Sequence, residues 1–360
     1  MRYKEFGKTQ KKLSVIGFGG MRFQKEGEEY DIDRCADLIL EGNKLGINYF
    51  DTAPFYCDDK SQLIFGKAIK KMPNKFFIST KSGDLKGDNL RRELEKSLKI
   101  LGLEKINFYQ IWCVMDLEDY RERSKKGGAI EAALKAKNEG LIEHLCISTH
   151  AMGEEIEVIA NEGIFEGMTL GFNILNFKFR ENGIRACHKN NMGIVTMNPL
   201  GGGIIPQNQD KLDFIKTDPN EDIIETAIKF NLSTKGINVA LVGINNYDNL
   251  LKACKIGNEF KEIESGKMEI IKENIKESLN ELCTGCRYCE YCPEGISVSK
   301  YMYAYNQKIL GNKNNAINTI KWHWRIEMDE LNKCVSCGLC EKKCTQHLEI
   351  LKRFEEMKSW

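Results

Sequence analysis

Up to about residue 260, short apolar runs alternate with longer amphipathic segments. The runs VIGFG, NYFDTA, FFIST, NFYQIW, HLCIST, MTLGFN, GIVTMN and VALVG are β-branched, aromatic or otherwise apolar and read as strands. Between them apolar residues recur three and four positions apart; Leu90, Leu94, Leu98 and Leu101 in NLRRELEKSLKILG draw one helical face most clearly. Gly46, Gly102, Gly140 and Gly163 follow such segments, where a helix C-cap turns through a left-handed residue. Eight strand signals, each followed by a helix signal except where GGGIIP lengthens a loop, predict an α/β fold of the (β/α)8 TIM-barrel type. A doubly wound sheet is the competing arrangement.

The rhythm then changes. SGKMEIIKENIKESLNEL reads as a helix, and beyond it stand two cysteine runs, CTGCRYCEYCP and CVSCGLCEKKC. A chain of 360 residues is long enough for one large core and a smaller second unit. The expected division is a barrel over 1–260, a connecting helix over 261–282 and a small, mainly helical domain over 283–360. Lysine plus arginine number 53 against 52 acidic residues, so no basic stripe announces nucleic acid. MRYKEFGKTQKKL lacks the apolar core of a secretory signal, and no apolar run approaches the roughly 20 residues of a membrane span. The expectation is a cytoplasmic protein.

In a reducing compartment clustered cysteines serve as metal ligands rather than disulfides. Eight of the 14 are clustered: Cys283, Cys286, Cys289 and Cys292, then Cys334, Cys337, Cys340 and Cys344. The others, Cys35, Cys57, Cys113, Cys146, Cys187 and Cys254, stand singly and read as small core residues. Three cysteines in C-x2-C-x2-C suit the corner irons of a cubane, and a fourth before proline completes the partner cluster in two-cluster ferredoxins. Zinc also takes four thiolates, but its structural sites join two separated C-x2-C knuckles. Two [4Fe-4S] clusters are therefore favoured over zinc or free thiols. By ferredoxin analogy Cys292 ligates the second cluster and Cys344 the first; the x2 spacing before Cys292 and Thr345 in place of a second proline leave that exchange open. SKYMYAYNQKIL, between the runs, resembles the helical ferredoxin modules of larger enzymes, with Tyr301, Tyr303 and Tyr305 as packing residues.

In a barrel, chemistry belongs at the carboxyl ends of the strands. The second strand signal ends FDTAPFY, offering Asp51 and Tyr56, and the third ends ISTK, offering Lys81. A carboxylate, a phenol and an ammonium at one mouth make a proton-transfer device, in which Lys81 lowers the pKa of Tyr56 while Asp51 holds the lysine charged. The same residues also suit a turn cap, a loop contact and a surface charge.

DTAPFY followed by STK, with IGFGGMR near the start, resembles the aldo-keto reductases over about residues 1–260. The resemblance implies a barrel that binds NAD(P)(H) in extended form, with Tyr56 as general acid to a small-molecule carbonyl that receives hydride and with Asp51 and Lys81 tuning it. Where that family places a histidine after the fourth strand, YQIWCVMD puts Trp112, which donates one indole hydrogen bond but does not titrate. His150, just past CIST, is placed near the mouth as a replacement acid, a contact to cofactor or substrate, or simply a loop histidine. The segment after the eighth strand, GINNYDNLLK with Gly243 and Asn245, has no cation before Lys252, which leaves a preference for NADP without its usual charge partner. Amides of Gly201, Gly202 and Gly203 are candidates for the pyrophosphate, and Ser148 and Asn173 for the nicotinamide end.

Barrel and tail together resemble a branch of the aldo-keto reductase superfamily with a C-terminal two-[4Fe-4S] domain. That implies an oxidoreductase coupling hydride and proton chemistry to one-electron transfer with a ferredoxin-like partner. Hydride carriers move electrons in pairs and clusters move them singly, so an intermediary such as a flavin is called for, yet no flavin signature is evident. The alternative is an electron-transfer subunit or redox sensor whose barrel has lost its chemistry, as Trp112 hints; in a third reading the clusters are structural staples.

Overall fold

The structure is a computed structural model, and the residues it describes are all but 276–278 and 280. It opens with an antiparallel hairpin, β1 (Tyr3–Glu5) and β2 (Lys12–Ser14). Eight parallel strands follow: β3 (Ile16–Gly19), β4 (Tyr49–Asp51), β5 (Phe77–Ser82), β6 (Ile106–Val114), β7 (Ile142–Thr149), β8 (Gly167–Gly171), β9 (Gly193–Met197) and β10 (Ile237–Gly243). They pair in chain order, and β10 returns to β3 with Ala240 opposite Ile16, so the sheet closes and a doubly wound sheet is excluded.

The hairpin carries no strong sequence signal, because its three-residue strands are too short to show alternation. Its purpose is visible in Phe6, 1% exposed, which packs with Leu13, Tyr49, Phe77, Phe108, Val195 and Val239. Phe6 meets Phe108 edge-on at 5.1 Å. Gly193 opens β9 where a Cβ would lie 2.4 Å from the Phe6 ring, so only glycine leaves room for this plug at the amino ends of the strands.

The chain divides into two compact units. The first comprises 1–173, 179–199 and 227–263; the second comprises 174–178, 200–226 and 264–360. The second unit thus takes in two loops that a contiguous reading of the chain gives to the barrel. Its helices include Ser265–Asn274, Val298–Ile309 and Ile350–Lys358. Of the connecting helix expected over 261–282, Ser265–Asn274 is helical, while 276–278 and 280 lie outside the described residues. Tyr301, Met302, Leu331, Ile350, Phe354 and Met357 build this unit's core around buried Cys283, Cys289 and Cys344. Among the described residues no helix is long and apolar enough to cross a membrane.

Candidate active site and cysteine nests

Asp51 closes β4 and pairs in register with Ser79 of β5. Lys81 lies two residues further along β5 and so points to the same face as Ser79. The result is a buried ion pair, Lys81 Nζ to Asp51 Oδ2 at 2.6 Å, with both side chains 3% exposed. Ser79 Oγ donates to Asp51 Oδ1 at 2.9 Å, and Gln110 Nε2 from β6 donates to Ser79 Oγ at 2.7 Å. A buried charge pair persists only where the remaining lone pairs are satisfied, and Ser79 and Gln110 supply that.

Tyr56 sits in the turn after β4, where Phe55, Cys57, Asp58 and Asp59 all have positive φ, between 51° and 67°. So many left-handed non-glycine residues in one turn cost energy and fix the phenol's place. Lys81 Nζ donates to the Tyr56 phenolic oxygen at 3.3 Å. The sequence alone predicts that Lys81 lowers the phenol's pKa. Burial and then the Asp51 carboxylate prevail, and Tyr56 stands well above the ordinary value of 10.0. The phenol therefore keeps its proton at neutral pH, and because its oxygen already accepts from Lys81, the O–H is left to donate to an incoming acceptor.

Trp112 owes its position to a β-bulge. Pairing of β6 with β7 runs Ile111 to Ile147 and then Val114 to Thr149, so Trp112 and Cys113 together face Ser148, and Cys113 has φ of 61°. The bulge turns the indole over the mouth, edge-on to Tyr56 at 5.7 Å and stacked on Phe55 at 6.4 Å. His150 is buried just past β7, and its carbonyl accepts from Arg180 Nη2 at 2.7 Å. Arg180, fully buried, also donates to the carbonyls of Ala151 and Gly171 and ties the ends of β7 and β8 together. Ser148 is buried opposite Thr169, and Asn173 Nδ2 donates to the Asn198 carbonyl at 3.0 Å.

Sequence reasoning passed over Arg22, in the very IGFGGMR stretch that carried the resemblance. Its side chain lies over Gly243, where a Cβ would meet Arg22 Cγ at 3.0 Å, and its charge reaches Tyr56. Asn245 lines a cavity of about 440 Å³ together with Asn246, Tyr247, Lys25, Arg34 and Asp37. Lys25 pairs with Asp58 at 2.7 Å and Arg34 with Glu26, so both cations are already neutralised. Gly201, Gly202 and Gly203 belong to the second unit, where a Cβ on Gly202 would lie 2.0 Å from the Thr284 carbonyl oxygen. That glycine is needed for close approach to the first cysteine run.

The eight cysteines sort into two nests that cross the two runs. Cys283, Cys286 and Cys344 are the sulfur neighbours of Cys289, and burial followed by these neighbours holds its thiol far above the usual range. Cys292, Cys334, Cys337 and Cys340 line one small cavity of about 20 Å³. Each nest thus takes three cysteines from one run and the last cysteine of the other. Burial pushes Cys283 up to about 12 and Cys340 to about 11, so free thiols here stay protonated, and a bound centre has to displace the protons. Among the described residues no three His, Cys, Asp or Glu side chains are gathered so as to hold a single metal ion. Each nest holds a complete C-x2-C-x2-C run, Cys283, Cys286 and Cys289 or Cys334, Cys337 and Cys340, with a fourth thiol beside it, and that donor set suits a [4Fe-4S] core.

This geometry agrees with what the chain is related to. The family model described as "Aldo/keto reductase family" matches residues 15–275, and a "4Fe-4S dicluster domain" matches 282–349. The chain belongs to the aldo/keto reductase family, and a 4Fe-4S dicluster domain follows its barrel. It is 34% identical over 102 residues to NADH-specific methylglyoxal reductase of Escherichia coli, a stretch covering 22% of this chain and 31% of that protein. To the uncharacterized oxidoreductase YqkF of Bacillus subtilis it is 24% identical over 219 residues, 58% of this chain and 67% of that one. Among solved structures, aldo-keto reductase AKR11C1 from Bacillus halodurans in its holo form aligns with 77% of this chain and 97% of its own at TM-score 0.65 and 20% identity, a likeness of fold.

Proposed function

We propose that the protein is an iron-sulfur oxidoreductase that reduces a small carbonyl compound at the barrel mouth and exchanges single electrons through two [4Fe-4S] clusters with a ferredoxin-like carrier. The observation that carries this reading is the coexistence of a protonated, lysine-bonded phenol at the strand ends with eight cysteines grouped four and four. In it Asp51 anchors Lys81, Lys81 occupies one lone pair of Tyr56, and Tyr56 delivers its proton to the carbonyl oxygen. Positioned proton donation of this kind contributes roughly 10²- to 10⁴-fold in rate. Trp112, edge-on to Tyr56 and stacked on Phe55, gives the mouth an aromatic wall.

A bound dinucleotide would supply the hydride as one electron pair, an intermediary such as a flavin would be needed to split a pair bound for the clusters, and the two clusters held by the nests would each take or give one electron. Asn173, Gly243 and Asn245 are the residues we assign to the dinucleotide, with Arg22 added by its position over Gly243. The cavity at Asn245 holds Glu26, Asp31, Asp37 and Glu41 against Lys25 and Arg34, an acidic balance that suits ribose hydroxyls and repels a phosphate dianion. We assign NADH over NADPH on that ground. The second nest opens to solvent at Cys337, beside exposed Val335 and Leu339, which makes it the port for the external carrier. A cytoplasmic setting follows from the reduced thiols this chemistry requires.

The reading is tested on protein purified without oxygen. About eight iron and eight acid-labile sulfide per chain are expected, with saturable NADH binding and weaker NADPH binding. Zinc in the nests, or no dinucleotide binding by iron-loaded protein, overturns it; the second result would leave an electron-transfer subunit.

A further inference from the structure

Arg353 has no part in the chemistry above, yet its guanidinium is buried beside the first nest. It lies on the helix Ile350–Lys358 and is 5% exposed. Nη2 donates to the Glu281 carbonyl at 2.9 Å and to its carboxylate at 3.2 Å, two residues before Cys283. The Tyr305 ring covers the group at 4.6 Å. Nη1 is buried without a hydrogen-bond partner, and so is Thr284 Oγ1, next to Cys283. Further donors meet this nest: Gly285 N to Cys283 Sγ at 3.4 Å, Leu348 N to Cys344 Sγ at 3.4 Å, and a Thr345 Oγ1 contact with Cys286 Sγ at 3.3 Å.

The nests differ in solvation. In the first nest Cys283, Cys289 and Cys344 are 6–7% exposed and Cys286 is partly exposed, whereas in the second Cys337 is exposed and Cys292, Cys334 and Cys340 are partly so. A cubane with four thiolates gains one negative charge when it takes up an electron. Burial opposes that gain, and a neighbouring cation or hydrogen bonds to sulfur favour it. Left uncompensated, the buried nest would hold the cluster harder to reduce.

We propose that Arg353 sets the reduction potential of the cluster in the first nest: its buried charge and unpartnered Nη1 offset the desolvation of the reduced form, while the cluster in the second nest is untouched. This rests on occupancy of both nests by [4Fe-4S] clusters.

The test uses the full chain, purified anaerobically, as wild type, Arg353→Gln and Arg353→Lys, each assayed for iron and sulfide and then titrated with dithionite under EPR detection. One electron enters each cluster, and no bond is made or broken. In Arg353→Gln the reduced-to-oxidised ratio of one cluster at fixed potential should fall about tenfold, equivalent to 59 mV for one electron, while the other cluster keeps its potential. Arg353→Lys retains the charge but loses the planar fork and should fall less. In Cys337→Ser the second nest's signal changes, and the Arg353-dependent step should persist. Unchanged potentials in iron-loaded variants overturn the proposal, and so does loss of the first nest's iron from both variants, which would make Arg353 a strut. A wild-type chain without iron removes the occupancy reading and the proposal together, and the iron assay tells that result from the others.

Discussion

Replacing Lys81 by methionine separates a catalytic ion pair from a structural one. The substitution keeps side-chain length and removes the 2.6 Å contact with Asp51, whose carboxylate retains only neutral donors, Ser79 at 2.9 Å and Gln110 at 3.4 Å. Breaking a buried pair on one side costs about 3–5 kcal/mol, which for a barrel of this size lowers the melting temperature by about 6–20 °C. The double variant Lys81→Met with Asp51→Leu removes both charges and should regain most of that loss, since Ser79 and Gln110 still bond each other at 2.7 Å. Activity should behave differently. Neither variant leaves a donor to the Tyr56 oxygen, so single-turnover oxidation of NADH by a reactive carbonyl such as methylglyoxal should fall about 10²- to 10⁴-fold in both. Circular dichroism melting and stopped-flow absorbance measure the two quantities on the same samples. Recovery of activity with stability in the double variant would refute the reasoning, because it would make the pair a structural element.

Tyr56→Phe should lower the same rate to a similar extent. In the wild type the rate should stay level to at least pH 10, because burial and Asp51 raise the phenol and its acid form is lost only as pH climbs through that raised value; a fall centred below pH 9 would assign the proton to another group. Glu166 is raised by burial but held down at about 2 by hydrogen bonds from His144 and Lys137. Against an ordinary 4.5, that is worth about 3 kcal/mol, present above pH 4.5 and lost as pH falls toward 2. Glu166→Gln should therefore be less stable than wild type at pH 7 in urea unfolding, with the two converging near pH 2. Cys344→Ser should alter the EPR signal of the cluster held by Cys283, Cys286 and Cys289, and Cys292→Ser the other signal; the reverse pattern would show that each run serves its own cluster.

The barrel was legible because all eight strands are buried between inner and outer layers and so read as apolar runs, and because parallel strands need the helices that separate them. Asp51 and Lys81 were legible by their place at strand ends. The hairpin was not, since its two strands are three residues each and its one large contact is Phe6 against glycines far along the chain. The bulge at Cys113 escaped for a related reason: one extra residue in β6 leaves no mark until its partner strand is known. The direction of the Tyr56 shift depended on burial, which no spacing reveals. The cysteine spacing pointed to a dicluster domain but left the placing of Cys292 and Cys344 open, and the packing of the second unit sets Cys344 with the first run and Cys292 with the second. Gly201–Gly203 gained a second role. The glycine run is a candidate for the pyrophosphate by sequence, and the structure adds that Gly202 is also required by the approach of Thr284.

The central claim is that dinucleotide chemistry and cluster chemistry belong to one reaction. It is tested most directly by adding NADH to anaerobic, iron-loaded protein in a stopped-flow cell and following absorbance of the oxidised clusters. The account predicts bleaching that saturates with NADH, is slower with NADPH, and reverses when a ferredoxin-type acceptor is added. Clusters that stay oxidised with either dinucleotide, in protein shown to bind it, would contradict the account.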